Sequence, residues 1–261
     1  MKSAYSPVLP AVRYMLLCIL LLLSLQVPSL AAAEQIDCLK CHGKLAKEKV
    51  LHPALSMGCT TCHDALNAKT VPHKIIGKTA KGLAADQPDL CYRCHDRAAF
   101  SKKTVHAAVG MGCTGCHNPH SSRNAKLLVS EPPDLCFTCH EKTKFTKKTI
   151  HAPVAGGMCL SCHVPHSSDE MALLKKKPFD TCLECHRDIM QKHAPLSGFS
   201  SKRHPLGESR KKKPEPPQDP ARPGKIFYCG SCHDPHSADG PRMYRFNAAS
   251  SMALCVNCHQ M

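Results

Sequence analysis

The feature that most constrains this chain is a five-residue motif, Cys-x-x-Cys-His, which occurs nine times in 261 residues. It contains every cysteine except Cys18, which lies in an apolar stretch near the N-terminus. A chain that repeats one pattern of thiols is expected to bind the same kind of group at each repeat. The motif cysteines are Cys38, Cys41, Cys59, Cys62, Cys91, Cys94, Cys113, Cys116, Cys136, Cys139, Cys159, Cys162, Cys182, Cys185, Cys229, Cys232, Cys255 and Cys258, and the motif histidines are His42, His63, His95, His117, His140, His163, His186, His233 and His259.

Three kinds of site use paired cysteines. A zinc site explains Cys-x-x-Cys, but its histidine ligands usually follow at another spacing. Disulfides suit an exported protein, but they do not require the histidine. In haem attachment the two thiols bond the two vinyl groups as thioethers, and the next histidine ligates the iron. The motifs therefore predict nine covalently attached haem c groups.

Nine further histidines lie outside the motifs, which matches one second axial ligand for each predicted haem. Three of them end the sequences CHNPH, CHVPH and CHDPH, and three others precede the next motif by seven or eight residues. We therefore predict that all nine are iron ligands. They are His52, His73, His106, His120, His151, His166, His193, His204 and His236.

The sequence GCTGCHNPH shows why these ligands should act between haems. Three residues span at most about 10 Å, so His120 cannot travel around the haem held by His117 to reach its opposite face. Pro119 also prevents a helix from continuing here. We predict that His120 ligates the iron of a neighbouring haem; the alternative is a histidine that caps a turn or bonds a propionate.

The motifs form a repeat of two. The first cysteines Cys91, Cys136 and Cys182 are 45 or 46 residues apart, and a second motif follows each of them. We expect a nonahaem region over 34–261 with four units and a final half-unit, at about 38–73, 91–120, 136–166, 182–236 and 255–259. The half-unit has no extra histidine, so unit four should lend it one, and His193 and His204 are equal candidates. A proline-rich and lysine-rich segment at 208–224 should form an exposed loop.

The remaining sequence offers little material for a protein core. It has no tryptophan, five tyrosines and seven phenylalanines. The haems should therefore fill the interior, and the apoprotein should not fold. We predict a haem-packed multihaem cytochrome c, a mostly irregular chain with short α-helices and little or no sheet, including short helices within 124–129 and 171–177.

The N-terminus has the pattern of a signal peptide over residues 1–33. Lys2 and Arg13 precede an apolar run at 14–27, and Ala31 to Ala33 offer a cleavage site. The run is shorter than the roughly 20 residues of a membrane-spanning helix, although an uncleaved anchor is the alternative. The formal charge of +15 would be largely offset by two propionates on each haem, so nucleic acid is not expected as a partner.

The nine motifs, with CHNPHSS, CHVPHSS and CHDPHSA, resemble the multihaem c-type cytochromes with doubled CXXCH motifs used in bacterial extracellular and anaerobic respiration. The resemblance implies an exported electron carrier of the periplasm, the outer membrane or the extracellular space. Its expected partners are other redox proteins of the cell envelope, such as further cytochromes or an outer-membrane porin. The alternative is a reductase of a small nitrogen or sulfur oxyanion with one open iron. Met57, Met111 and Met158 precede motifs, but packing explains them better than ligation.

Overall fold

The computed structural model describes residues 36–189 and 218–260. The predicted signal peptide, His193 and His204 lie outside these residues, as does most of the predicted loop at 208–224. The chain from Cys38 onward clusters as one unit.

Helices are very short throughout the described chain. The longest α-helix has six residues, and 3-10 turns of three to five residues alternate with the α-helices. The α-helices are α1 Leu39–His42, α2 Asp89–Tyr92, α3 Ala107–Gly110, α4 Asp134–Phe137, α5 Ala152–Ala155, α6 Cys159–Cys162, α7 Pro178–Leu183, α8 Cys229–Cys232 and α9 Ser251–Cys255. The 3-10 turns are Gly43–Ala46, Pro53–Met57, Cys59–Thr61, Ala80–Gly82, Arg97–Phe100, Cys113–Gly115, Ala125–Leu127, Lys142–Phe145, Met171–Leu173 and Pro241–Met243.

Each motif forms one turn of helix. In all nine motifs the amide of the histidine donates to the carbonyl of the first cysteine, with N···O distances of 2.9 to 3.1 Å. Residues four apart lie on one side of a helical turn. This local bond therefore presents the first thiol and the imidazole on the same side.

The strands are two residues long and pair only in twos. They are β1 Val50–Leu51, β2 Leu66–Asn67, β3 Lys74–Ile75, β4 Thr104–Val105, β5 Ser121–Ser122, β6 Thr149–Ile150, β7 Ser167–Ser168 and β8 Ser237–Ala238. The antiparallel pairs are β1 with β5, β2 with β3, β4 with β7 and β6 with β8. Apart from the β2–β3 hairpin, every pair joins two successive units.

The two segments predicted to be short helices form single 3-10 turns instead. Lys126 and Leu127 have φ angles of 54° and 59°, and Ala172 and Leu173 have 51° and 58°. Left-handed φ costs a non-glycine residue about 1–2 kcal/mol. A helix cannot pass through two such residues, so the chain turns back here.

The described residues have almost no hydrophobic core made of side chains. Only four hydrophobic residues are buried, Phe227, Ala238, Tyr244 and Ala248, and all lie near the C-terminus. Elsewhere large hydrophobic side chains are open to solvent, such as Val71 at 88% and Met111 at 80%. This confirms the predicted fold class, since an apolar cofactor is needed to cover such surfaces. No helix in 36–189 or 218–260 is long and apolar enough to cross a membrane.

We predict that the chain without haem is unfolded. Burial of four hydrophobic side chains cannot offset the conformational entropy of ordering about 200 residues. Far-UV circular dichroism and limited proteolysis of material made without haem-attachment enzymes should show little helix and rapid digestion throughout. Haem-loaded protein from matched cells is the control, and a protease-resistant apoprotein would contradict the prediction.

Candidate haem sites

Seven motif histidines each face a histidine from outside the motifs. Their ring centroids are 5.8 to 6.2 Å apart, and four of the pairs have ring planes within 20° of parallel. The pairs are His42 with His73, His52 with His95, His63 with His120, His106 with His140, His117 with His166, His151 with His186, and His163 with His236.

This separation fits a metal ion held between two imidazoles. A metal–nitrogen bond of about 2 Å and roughly 1.1 Å from the nitrogen to the ring centre place two opposed rings about 6 Å apart. No group of three or more metal-ligating side chains occurs in the described residues. Haem iron needs only two, because the porphyrin supplies the other four ligands. The residues therefore fit haem c.

Hydrogen bonds orient many of these rings. The Nδ1 atom of His117 is 2.9 Å from the carbonyl of Lys126, and that of His163 is 2.9 Å from the carbonyl of Ala172. Both carbonyls belong to the left-handed turns described above, and His233 repeats the arrangement with Arg242 at 2.8 Å. A protonated Nδ1 that donates to a carbonyl leaves Nε2 as the metal ligand.

The facing histidines are held in the same way. The Nδ1 atoms of His106 and His151 are each 2.9 Å from the carbonyl of a proline, Pro165 and Pro235. His73 Nδ1 is 2.7 Å from the carbonyl of Thr70. These bonds favour the same tautomer, so both members of a pair can offer Nε2 to one iron.

The histidines of the CHxPH sequences are also kept neutral. Burial lowers the pKa of His120, His166 and His236, and the motif histidine that each one faces lowers it further. A neutral imidazole is the form that binds a metal. Their environment therefore suits ligation.

Successive units exchange these histidines. We call His52, His106 and His151 the spacer histidines and His120, His166 and His236 the Pro-His histidines. Each spacer histidine faces the first motif of the next unit, and each Pro-His histidine faces the second motif of the unit before. In contrast, His42 and His73 pair within unit one.

A backbone ladder joins the two exchanged histidines. The amide of His52 donates to the carbonyl of His120 at 2.8 Å, next to the β1–β5 pair. The same bond joins His106 to His166 at 2.8 Å and His151 to His236 at 3.0 Å. Two histidines that face different motif histidines therefore extend from the same short pair of strands.

The serine after each Pro-His histidine secures that ladder. Ser121, Ser167 and Ser237 are at most 5% exposed. Their hydroxyls donate to carbonyls of the preceding unit, those of Leu45, Ala99 and Lys144, at 2.7 to 3.0 Å. This serine belongs to the sequences CHNPHSS, CHVPHSS and CHDPHSA, but its role could not be predicted from them because its partner lies in another unit.

Motif thiols lie close together in chain order. Burial raises the pKa of Cys91 to about 11, with a hydrogen bond to Cys113 and the nearby Cys62 thiol adding to it. Burial likewise raises the pKa of Cys136 to about 11, and Cys159 and Cys116 contribute. Neighbouring thiols influence two further cysteines in the same way. Cys229 and Cys162 act on the pKa of Cys182, and Cys255 acts on that of Cys232. The attachment points of motifs two to nine are therefore neighbours in sequence order.

Two motif histidines, His233 and His259, are not among the seven pairs. The two remaining extra histidines, His193 and His204, lie outside the described residues. That one of them serves the last haem while the other remains a ligand of unit four stays a prediction.

Comparison with known proteins identified one family. The family model described as the doubled CXXCH motif matches residues 52–100, 106–145, 151–191 and 219–261. Each matched stretch contains two motifs, and three stretches begin at or close to a spacer histidine. The motif at Cys38 precedes the first stretch. A search of curated proteins found no match.

We predict that His120→Ala opens one iron without removing its haem. His63 and the two thioethers would remain, so the haem count should be unchanged while a high-spin ferric signal worth one haem appears in the EPR spectrum. His120→Met should stay low-spin with a raised potential, because thioether ligation favours the ferrous state. Arg123→Ala is the control, since that side chain is 84% exposed. An unaltered spectrum for His120→Ala would refute the pairing with His63.

Proposed function

Since the chain belongs to the doubled CXXCH motif family, a family of multihaem c-type cytochromes, we propose that it is a nonahaem electron carrier of the cell envelope in anaerobic respiration. When bound, the haems supply one-electron chemistry between ferric and ferrous iron. The residues of this chain attach them, ligate them and hold them close together. Proteins of this kind are typically exported.

The observation that carries the proposal is the opposed histidine pairing. Seven of the nine motif histidines already face a second imidazole at about the separation that iron requires. An iron with two histidine ligands has no open position for a substrate and is suited to electron transfer. A reductase would need one open iron, and the equal numbers of motif and extra histidines favour two histidine ligands on every iron instead.

The neighbouring thiols support a route in sequence order. Cys91 lies close to attachment points both before and after it in the chain, and so do Cys136 and Cys182. We infer that electrons enter and leave near the two ends of the row. Redox proteins, further cytochromes or an outer-membrane porin would meet the carrier there.

The surroundings of the first haem suit an acidic partner. His42 and His73 meet between two basic segments: Lys40 and Lys44 lie in α1 and the turn after it, and Lys69, Lys74 and Lys78 lie in and around the β2–β3 hairpin. All five lysines are exposed, and none forms an ion pair with a described residue. Their positive potential would attract a negatively charged redox protein.

We predict nine haems per chain and only low-spin ferric signals in the fully oxidised protein. Haem stoichiometry and low-temperature EPR on the same sample test both points. Two nitrogen ligands on every iron give this result. A substantial high-spin signal in intact protein would identify an open iron and favour the reductase.

We predict that reversing charges near the first haem slows exchange with an acidic protein. For Lys69→Glu with Lys78→Glu, stopped-flow reduction by flavodoxin hydroquinone should slow about tenfold at low ionic strength, and salt should remove the difference. Lys102→Glu with Lys103→Glu has the same net charge and serves as the control. Equal slowing in both variants would refute docking at the first haem.

A further inference from the structure

An ion pair between Asp219 and Arg222 lies next to the eighth motif. Asp219 Oδ2 is 2.7 Å from Arg222 Nε and 2.6 Å from the second guanidinium nitrogen. The other carboxylate oxygen accepts from the Ala221 amide at 3.0 Å. The Asp219 side chain is 1% exposed and that of Arg222 is 23% exposed. Asp219 is the only buried charged residue in the described chain.

A serine connects this pair to the motif. Ser231 is the third residue of CGSCH, and its hydroxyl is 3.2 Å from Arg222 and 3.1 Å from the Tyr228 amide. It is 5% exposed. Ser161 holds the equivalent place in CLSCH of unit three, yet it is exposed and has no such clamp. The ion pair therefore belongs to unit four alone among the described units.

The pair comes from the insertion that distinguishes unit four. Gln218 bridges to Ile226, and the Asp219 amide donates to the Lys225 carbonyl at 2.7 Å. These bonds fold the end of the insertion back beside α8. In the described part of the predicted loop at 208–224, Pro220, Pro223 and Gly224 are exposed, whereas Asp219 is buried.

The carboxylate also lies near the attachment point of the eighth haem. Arg222 links Asp219 to Ser231, which stands between Cys229 and Cys232 in the motif. A charge at this place acts on the iron of that haem, because a nearby negative charge stabilises ferric over ferrous iron and burial strengthens the effect.

Resting on the proposed electron-transfer function, we propose that Arg222 neutralises the buried Asp219 carboxylate and thereby prevents that carboxylate from lowering the reduction potential of the haem at the eighth motif. With the pair intact, the haem experiences a small net field. Loss of either partner exposes the haem to one uncompensated charge. The sign of that charge decides the direction of the shift.

The test is a spectroelectrochemical titration of the full haem-loaded chain. Arg222→Gln should lower the potential of one of the nine haems, and Asp219→Asn should raise it. A tenfold change in the ratio of oxidised to reduced haem corresponds to 59 mV for one electron, and we expect a shift of about this size. The double variant should return toward the original potential, and Arg222→Lys should change it little.

An exposed pair of the same chemistry provides the matched control. Arg97 and Asp89 are 2.6 Å apart, 65% and 71% exposed, and close to the third motif. Arg97→Gln and Asp89→Asn should leave the titration unchanged, because solvent screens their charges.

Haem count and EPR separate the outcomes. Opposite shifts in the two single variants, with nine low-spin haems retained, support the proposal. Absent shifts or shifts of one sign, with nine low-spin haems, overturn it and leave the proposed function intact. A high-spin signal in both variants would mean that the pair only holds a ligand in place, which also overturns it. A wild-type chain that carries no haem at Cys229 and Cys232 would instead defeat the proposed function.

Discussion

The structure depends on a backbone hydrogen bond between two histidines that face different motif histidines and would therefore ligate different irons. In each pair of successive units a spacer histidine donates its amide to the carbonyl of a Pro-His histidine, as His52 does to His120. Such a short ladder contributes little stability alone. Its main effect is on position, because it holds two histidines that would ligate different irons back to back. Ligation of both histidines would then stabilise the ladder.

This reciprocity explains how a chain without a core can be ordered. Each unit donates ligands to its neighbours and receives ligands from them, so no internal unit completes its own sites. Folding and haem ligation are therefore coupled, as metal binding and folding are in small metal-dependent domains. The buried serines Ser121, Ser167 and Ser237 satisfy carbonyls where the units meet, which avoids unpaired polar groups beneath the haems.

The kinds of residue that would hold the haems could be predicted from the sequence, because the geometry of each motif is local. The motif fixes two thiols and an imidazole within one turn, and three residues are too few for His120 to reach around its own haem. The partners of the extra histidines could not be predicted, since they depend on the register between β1 and β5, segments about 70 residues apart in the chain. The described histidine pairs link units one to four in succession, while the loan of one histidine by unit four to the half-unit stays a prediction.

Other differences have equally physical causes. The segment around Lys126 has the composition of a helix, but a left-handed turn there presents the Lys126 carbonyl to His117 Nδ1. Nothing in the local hydrophobic pattern encodes that requirement. The choice between His193 and His204 is ambiguous for a related reason, because both follow the pattern of a spacer histidine and the partner lies in another unit.

The C-terminal part differs from the rest of the described chain because it has buried hydrophobic side chains. Phe227, Tyr244 and Ala248 are buried there, and so is Asp219, the only buried carboxylate of the described residues. Unit four has one full neighbour and one half-unit, so fewer exchanged ligands hold it. Local side-chain packing compensates for the missing partner, much as the terminal repeats of other repeat proteins differ from internal ones. Packing of this kind also excludes water, which is the condition under which a single charge such as Asp219 can act strongly on a nearby iron.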